Sequence, residues 1–181
     1  MSLVSSKNTK KVIFAAVVAA LICVLTMFPK LPIPMVNGGY IHMGDTLIIV
    51  GAFILNPVYA ALAAGIGSAL ADLFSGYAIY APATFVIKAL IAFVAAWLFT
   101  AMKRKQKNTV IFNFFVAIIA ELVMVLGYFL FEAILYGLVP AAVAAPFNLA
   151  QAAFGAIFGV IVIKIIASNK SLKKLLIEEL N

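Results

Sequence analysis

The chain has 181 residues, of which 66% are hydrophobic and 10% charged, with a mean hydropathy of +1.20. Soluble domains carry about 25% charged residues, so the composition excludes an ordinary soluble domain and predicts a polytopic membrane protein. The net charge of +7 does not point to nucleic acid, because the cations flank apolar runs and form no patch interleaved with aromatic side chains.

In chain order, Lys7, Lys10 and Lys11 precede an apolar run over 12–28. The run resembles a signal peptide, but it ends in Phe28-Pro29-Lys30 with no small-residue cleavage site, so it reads as a retained first span. Cys23 stands mid-way along it as a packing residue. As the lone cysteine, it excludes an intrachain disulfide and a cysteine metal cluster. Pro29, Pro32 and Pro34 then stiffen the approach to Val36-Asn37-Gly38-Gly39-Tyr40-Ile41-His42-Met43-Gly44-Asp45. This polar, glycine-rich loop holds the only histidine and reads either as a plain connection or as a lid over a ligand.

The second span, 44–56, is too short for the roughly 30 Å hydrocarbon core unless it starts inside the preceding loop. The third, 58–74, carries two small-residue stripes, Ala61, Gly65, Ala69 and Ala60, Ala64, Ser68. Such stripes allow close helix approach and predict a central helix. Pro82 opens the fourth span, 82–102, which has Trp97 near its far end, where an indole fits the membrane interface. A cationic cluster at 103–107 follows. Spans five and six, 110–136 and 140–167, exceed the roughly 20 residues needed to cross, so they tilt or protrude. Gly137 and Pro140 make the turn between them. The tail, 168–181, places Leu172, Leu175, Leu176 and Leu180 at helical spacing beside Lys173 and Lys174, as expected of a short amphipathic helix on the bilayer surface.

These spans predict a single all-α membrane domain of six transmembrane helices over residues 1–181. The cations gather at the N-terminus, at 103–107 and in the tail, which the positive-inside rule reads as cytoplasmic termini. The glycine-rich loop and the turns at 76–81 and 137–140 are then external.

Asp72, Lys88, Glu121, Glu132, Asn148 and Gln151 stand inside or at the external ends of the spans, where ionisable groups are costly and usually functional. Counted inward from the external turns, Lys88, Glu132 and Asn148 fall at similar depth, and Gln151 shares a helix face with Asn148. These four predict one pocket, opened to the outside and roofed by the first loop with Tyr40 and His42. Lys88 and Glu132 also suit simple mutual neutralisation, and the two amides suit interhelical bonding. Asp72 reads as structural, and Glu121 as too deep for the pocket mouth. There is no base–nucleophile arrangement of the usual kind, no phosphate-cradling Gly-x-x-x-x-Gly-Lys-Ser/Thr loop, and no internal repeat of the kind found in secondary transporters. The sequence therefore predicts neither an enzyme nor an ATPase, and no cofactor or metal. A proton-coupled carrier using Glu121 and Glu132 stays open.

The stretch Phe14-Ala15-Ala16-Val17-Val18-Ala19-Ala20-Leu21, the segment Tyr40-Ile41-His42-Met43-Gly44-Asp45 and the segment Gly67-Ser68-Ala69-Leu70-Ala71-Asp72-Leu73 before Pro82 occur in this order. Together they resemble the S components, the vitamin-binding subunits of energy-coupling factor (ECF) transporters, over about residues 11–167. Within that family the sequence is most similar to the hydroxymethylpyrimidine or pyridoxine branch, with riboflavin, thiamine or folate as alternatives. The resemblance implies a vitamin site near the external face between the first loop and spans four to six, here Tyr40, His42, Lys88, Glu132, Asn148 and Gln151. It also implies a transmembrane coupling (T) subunit and two ATPases as partners. Ala15 and Ala19, or Ala16 and Ala20, then contact the coupling subunit, and the S component topples in the membrane to deliver its vitamin inside.

Overall fold

A computed structural model describes residues 6–32, 40–104 and 109–178. Its order is α1 (Ser6–Met27), β1 (Lys30–Pro32), β2 (Tyr40–His42), α2 (Gly44–Ile54), α3 (Pro57–Phe74), α4 (Ala81–Arg104), α5 (Val110–Tyr136), α6 (Leu138–Ser168) and α7 (Lys170–Lys173), closed by a π-helical turn (Lys174–Glu178). The fold is all-α apart from the antiparallel ribbon β1–β2, in which Lys30 faces His42 and Pro32 faces Tyr40. The first part of the glycine-rich loop, 33–39, and most of the cationic cluster, 105–108, lie outside the described residues.

Local sequence explains where the helices start. Asn56 accepts from the Tyr59 N–H at 3.1 Å and Pro57 occupies the first turn of α3, an N-cap with a proline where no donor is needed. Thr109 caps α5 in the same manner. Gly137 joins α5 to α6 at φ 95°, a conformation that favours glycine. Pro140 does not belong to that turn. It lies inside the first turn of α6, where a missing N–H breaks no helical bond.

Five helices, α1 and α3 to α6, are long and apolar enough to cross a membrane. They follow one another around the bundle, α1 on α3, α3 on α4, α4 on α5 and α5 on α6. The eleven-residue α2 sits among α1, α4 and α6, with every residue except Leu47 buried. The stripe Ala60, Ala64 and Ser68 is buried as its small size allows, yet α3 is not the central helix. It turns Leu62, Ile66, Leu70 and Leu73 outward, whereas α2 has no polar face and is buried all round. At about 16 Å, α2 does not span the hydrocarbon core by itself. Its Phe53 meets Phe99 of α4 edge to face at 5.3 Å.

Large apolar side chains are exposed along α1, α3, α4, α5 and α6, as lipid contact requires. In the tail, Leu172 and Leu176 pack back on the bundle core while Leu175 points outward.

Candidate functional site

The start of α2 gathers the buried polar groups. Asp45 stands in its first turn, where the helix dipole favours an anion. Lys88, fully buried on α4, donates from Nζ to Asp45 Oδ1 at 2.5 Å. Gln151 of α6 donates from Nε2 to Asp45 Oδ2 at 2.6 Å. Its Oε1 accepts the His42 backbone N–H at 3.2 Å. Both ends of this amide are thus engaged, one with the ribbon and one with α2. The Met124 sulfur of α5 completes the floor, 3.3 Å from Lys88 Nζ and 3.4 Å from Gln151 Nε2.

His42 is buried, and its Nδ1 accepts the Gly44 N–H at 3.0 Å, satisfying an otherwise orphaned donor at the head of α2. A ring that accepts at Nδ1 carries its proton at Nε2 when neutral. Burial keeps it neutral: the His42 pKa is pushed down to about 4, with Asp45 opposing the shift and Lys88 adding to it.

Gly155 of α6 brings Glu121 into the same cluster. A Cβ at this position meets Asp45 Cβ and Glu121 Oε1, each at 2.9 Å. Both Glu121 carboxyl oxygens are buried without a hydrogen-bond partner. Glu121 is therefore not remote from the site, as depth counting predicts, but part of its deepest layer.

A second polar layer lies nearer the turns at 75–80 and 137. Glu132 of α5 is 3% exposed, and the Tyr80 hydroxyl hydrogen-bonds its carboxyl. Glu132 Oε2 has no partner, and neither has Nδ2 of the half-buried Asn148, which stands one helical turn before Gln151 on α6. The Tyr80 ring packs edge-on against Phe131 at 5.3 Å and lies 6.3 Å from the Tyr136 ring. Burial first, then its hydrogen bond with Tyr136 and the Glu132 charge, raises the Tyr80 phenol, so it stays a donor. Tyr128 shares a 3.0 Å hydrogen bond with Thr84 and holds its ring 5.4 Å from Lys88 Nζ.

The predicted site residues thus divide. His42, Lys88 and Gln151 meet around Asp45, and Glu132 belongs to the upper layer. The backbone of Tyr40 pairs in the ribbon, and its side chain lies outside the described part of the molecule. Lys88 does not neutralise Glu132. Its ammonium is level with Met124, eight residues and about 12 Å along α5 from Glu132. Equal counting from the helix ends fails because α5 and α6 project together beyond the start of α4. Asp45 is the residue that the sequence argument did not assign. The signal was there, since a buried lysine needs an anion and Asp45 borders an apolar helix.

The profile of the family described as "ECF-type riboflavin transporter, S component" matches residues 6–168. The chain belongs to this S-component family. A Pyrococcus woesei relative, known as an uncharacterised protein in the gap 3′ region, is 34% identical over 142 residues, 76% of this chain and 88% of its own. The solved S component of a bacterial ECF transporter superposes with a TM-score of 0.71 at 24% identity, over 88% of this chain and 96% of that one. The S component for biotin from an ECF-type ABC transporter gives 0.67 at 14% identity, over 93% and 96%. These two likenesses are of fold. The S component described here is a multi-pass membrane protein, and its family and structural neighbours are transport subunits rather than enzymes.

This S component also has an apolar groove of about 680 Å³ between α1 and α3, lined by none of the residues of the polar cluster. Ala15, Ala16, Ala19 and Ala20 line it together with Leu62 and Ile66. Ala16 and Ala20 are exposed, Ala15 is buried, and the Ala19 carbonyl lies directly against Gly67.

Proposed function

We propose that this S component captures a small heteroaromatic vitamin, of the pyridoxine or hydroxymethylpyrimidine kind, from the outer face of a prokaryotic plasma membrane. The observation that carries this reading is the pair of buried polar atoms without partners, Glu132 Oε2 and Asn148 Nδ2, on the side of the Asp45–Lys88–Gln151–His42 network towards the turns. Asn148 is one helical turn from Gln151, and Glu132 lies about 12 Å along α5 from Met124. A buried polar atom without a partner costs about 1–3 kcal/mol, so a ligand that supplies one recovers that amount. Glu132 accepts from a hydroxyl, amino or ring N–H group. Asn148 donates or accepts. Lys88, Gln151 and the buried His42 form the floor, and Tyr40 comes from the same strand as His42. Both termini are cytoplasmic. Uptake depends on a T subunit and two ATPases, which engage the alanine groove of α1, and the S component topples to release its vitamin inside.

A second reading follows the family's description and seats riboflavin at the same place. Mass spectrometry of the small molecule that co-purifies with the chain in detergent decides between the two. Calorimetry with pyridoxine, hydroxymethylpyrimidine and riboflavin then ranks them. Asn148→Ala is expected to weaken the preferred vitamin at least tenfold, and an unchanged affinity moves the site elsewhere. Accumulation of the vitamin by the reconstituted chain alone, without ATP, overturns the S-component mechanism in favour of a proton-coupled carrier.

A further inference from the structure

Glu132 is a carboxyl group 3% exposed, and no described lysine, arginine or histidine side chain pairs with it. Lys88 is the described cation inside the bundle, and it is committed to Asp45 and Met124 about 12 Å further along α5. His42 is engaged with Gly44 and Gln151. Lys10 and Lys11 head α1, and Lys164, Lys170, Lys173 and Lys174 belong to the end of α6 and the tail. What surrounds Glu132 is aromatic and neutral or anionic: Tyr80 on its carboxyl, Phe131 and Tyr136 against the Tyr80 ring, and Tyr128, whose own surroundings include Asp72 and Asp45. A buried carboxylate is costly unless it is paired, and the faces of these rings favour a cation over an anion.

We infer that the vitamin presents a basic ring nitrogen to Glu132 Oε2 and is held there as an N–H⁺···⁻O pair inside a wall of aromatic rings. This deepens the reading of the site as one for a small heteroaromatic vitamin and rests on it. Pairing needs one proton between the carboxyl and the ring nitrogen. If Glu132 arrives protonated and the ring neutral, the proton passes from the carboxyl oxygen to the nitrogen and none is exchanged with water. If the ring arrives protonated, Glu132 releases its proton to solvent and binding strengthens as pH rises. A pyridine or aminopyrimidine ring supplies such a nitrogen. A flavin has no nitrogen of comparable basicity.

The test compares pyridoxine with its benzenoid analogue, in which the ring nitrogen is replaced by C–H, by calorimetry on the detergent-purified wild type and on Glu132→Gln. The expected result is at least tenfold weaker binding of the analogue to the wild type, and a gap of less than about threefold in the variant. Equal affinity of the wild type for pyridoxine and its analogue overturns the ring-nitrogen contact while leaving a vitamin site in place. Riboflavin binding in the absence of any pyridoxine binding overturns both the vitamin class and the contact. The wild-type comparison decides on its own should Glu132→Gln fail to fold.

Discussion

Lys88 Nζ and Asp45 Oδ1 lie 2.5 Å apart with both side chains fully buried, so the charge that α4 carries into the bundle is answered from the head of α2. Asp45 is held a second time by Gln151, and Gln151 holds the backbone of His42. One carboxylate thereby ties α2, α4, α6 and the end of the first loop together. The described end of that loop, His42 to Gly44, takes its position from this network.

Removing one partner of a buried pair leaves an uncompensated charge and costs about 3–5 kcal/mol. Lys88→Met is therefore expected to lower the thermal stability of the purified protein severely. Adding Asp45→Asn removes the stranded charge while keeping an oxygen for Gln151, so the double variant is expected to recover at least half of the loss. Thermal unfolding of both variants in one detergent measures this. Additive losses contradict the pairing.

His42 gives the protein a pH signature. Its folded pKa of about 4 lies below the ordinary 6.5 because burial disfavours the charged ring. As pH falls, the unfolded chain takes up the proton first. The stabilisation from keeping the ring neutral is thus complete above about pH 6.5 and is lost as pH drops towards 4. By about pH 5 the loss is about 2 kcal/mol relative to neutral pH. His42→Gln is expected to be less stable at neutral pH and to lose less between about pH 7.5 and 5. Parallel unfolding midpoints for both proteins across that range contradict a buried neutral histidine.

Much of the fold was legible because lipid imposes simple rules. Runs of apolar residues marked the spans, and Pro57, Thr109 and Gly137 sit where helix-end chemistry puts them. The burial of α2 on all sides was not legible, because a short apolar run reads the same whether its neighbour is lipid or protein. The ribbon β1–β2 was hidden by the prolines and glycines around it. In the site, residue type identified Lys88, Glu132 and Gln151, but partner choice depends on how far each helix projects. The protrusion of α5 and α6 moved Lys88 to the level of Met124 and away from Glu132, and the close approach at Gly155 brought Glu121 up against Asp45.

That close approach is testable at Gly155 itself. An added methyl group meets Asp45 Cβ and Glu121 Oε1 at 2.9 Å. Asp45 cannot retreat without loosening its bonds to Lys88 and Gln151. Gly155→Ala is expected to cost about 1–3 kcal/mol of stability, the usual range for overpacking. Gly159→Ala, one turn along α6, meets Ile49 at 3.0 Å. Ile49 makes no polar bond of this kind, so a smaller loss is expected there. Unfolding midpoints of the two variants in the same detergent rank them. An equal or smaller loss at Gly155 means that Asp45 is free to shift.

The alanine groove allows the surface for a partner to be separated from the packing of the chain itself. Ala16 and Ala20 are exposed on α1, while Ala15 is 8% exposed and the Ala19 carbonyl is pressed against Gly67. Small residues on an exposed apolar face permit close approach of another helix. A bulky side chain there holds a partner away without touching the vitamin site proposed among α4, α5 and α6. Ala20→Trp is therefore expected to reduce co-purification with the T subunit and the ATPases at least severalfold, with vitamin affinity of the isolated subunit within about twofold of wild type. Ala15→Trp is expected instead to overpack the contact of α1 with the core and to lower thermal stability by about 1–3 kcal/mol. Co-expression of all subunits followed by affinity capture reads the first effect, and unfolding of the isolated chain reads the second. Normal assembly by Ala20→Trp places the coupling surface on another face of the bundle.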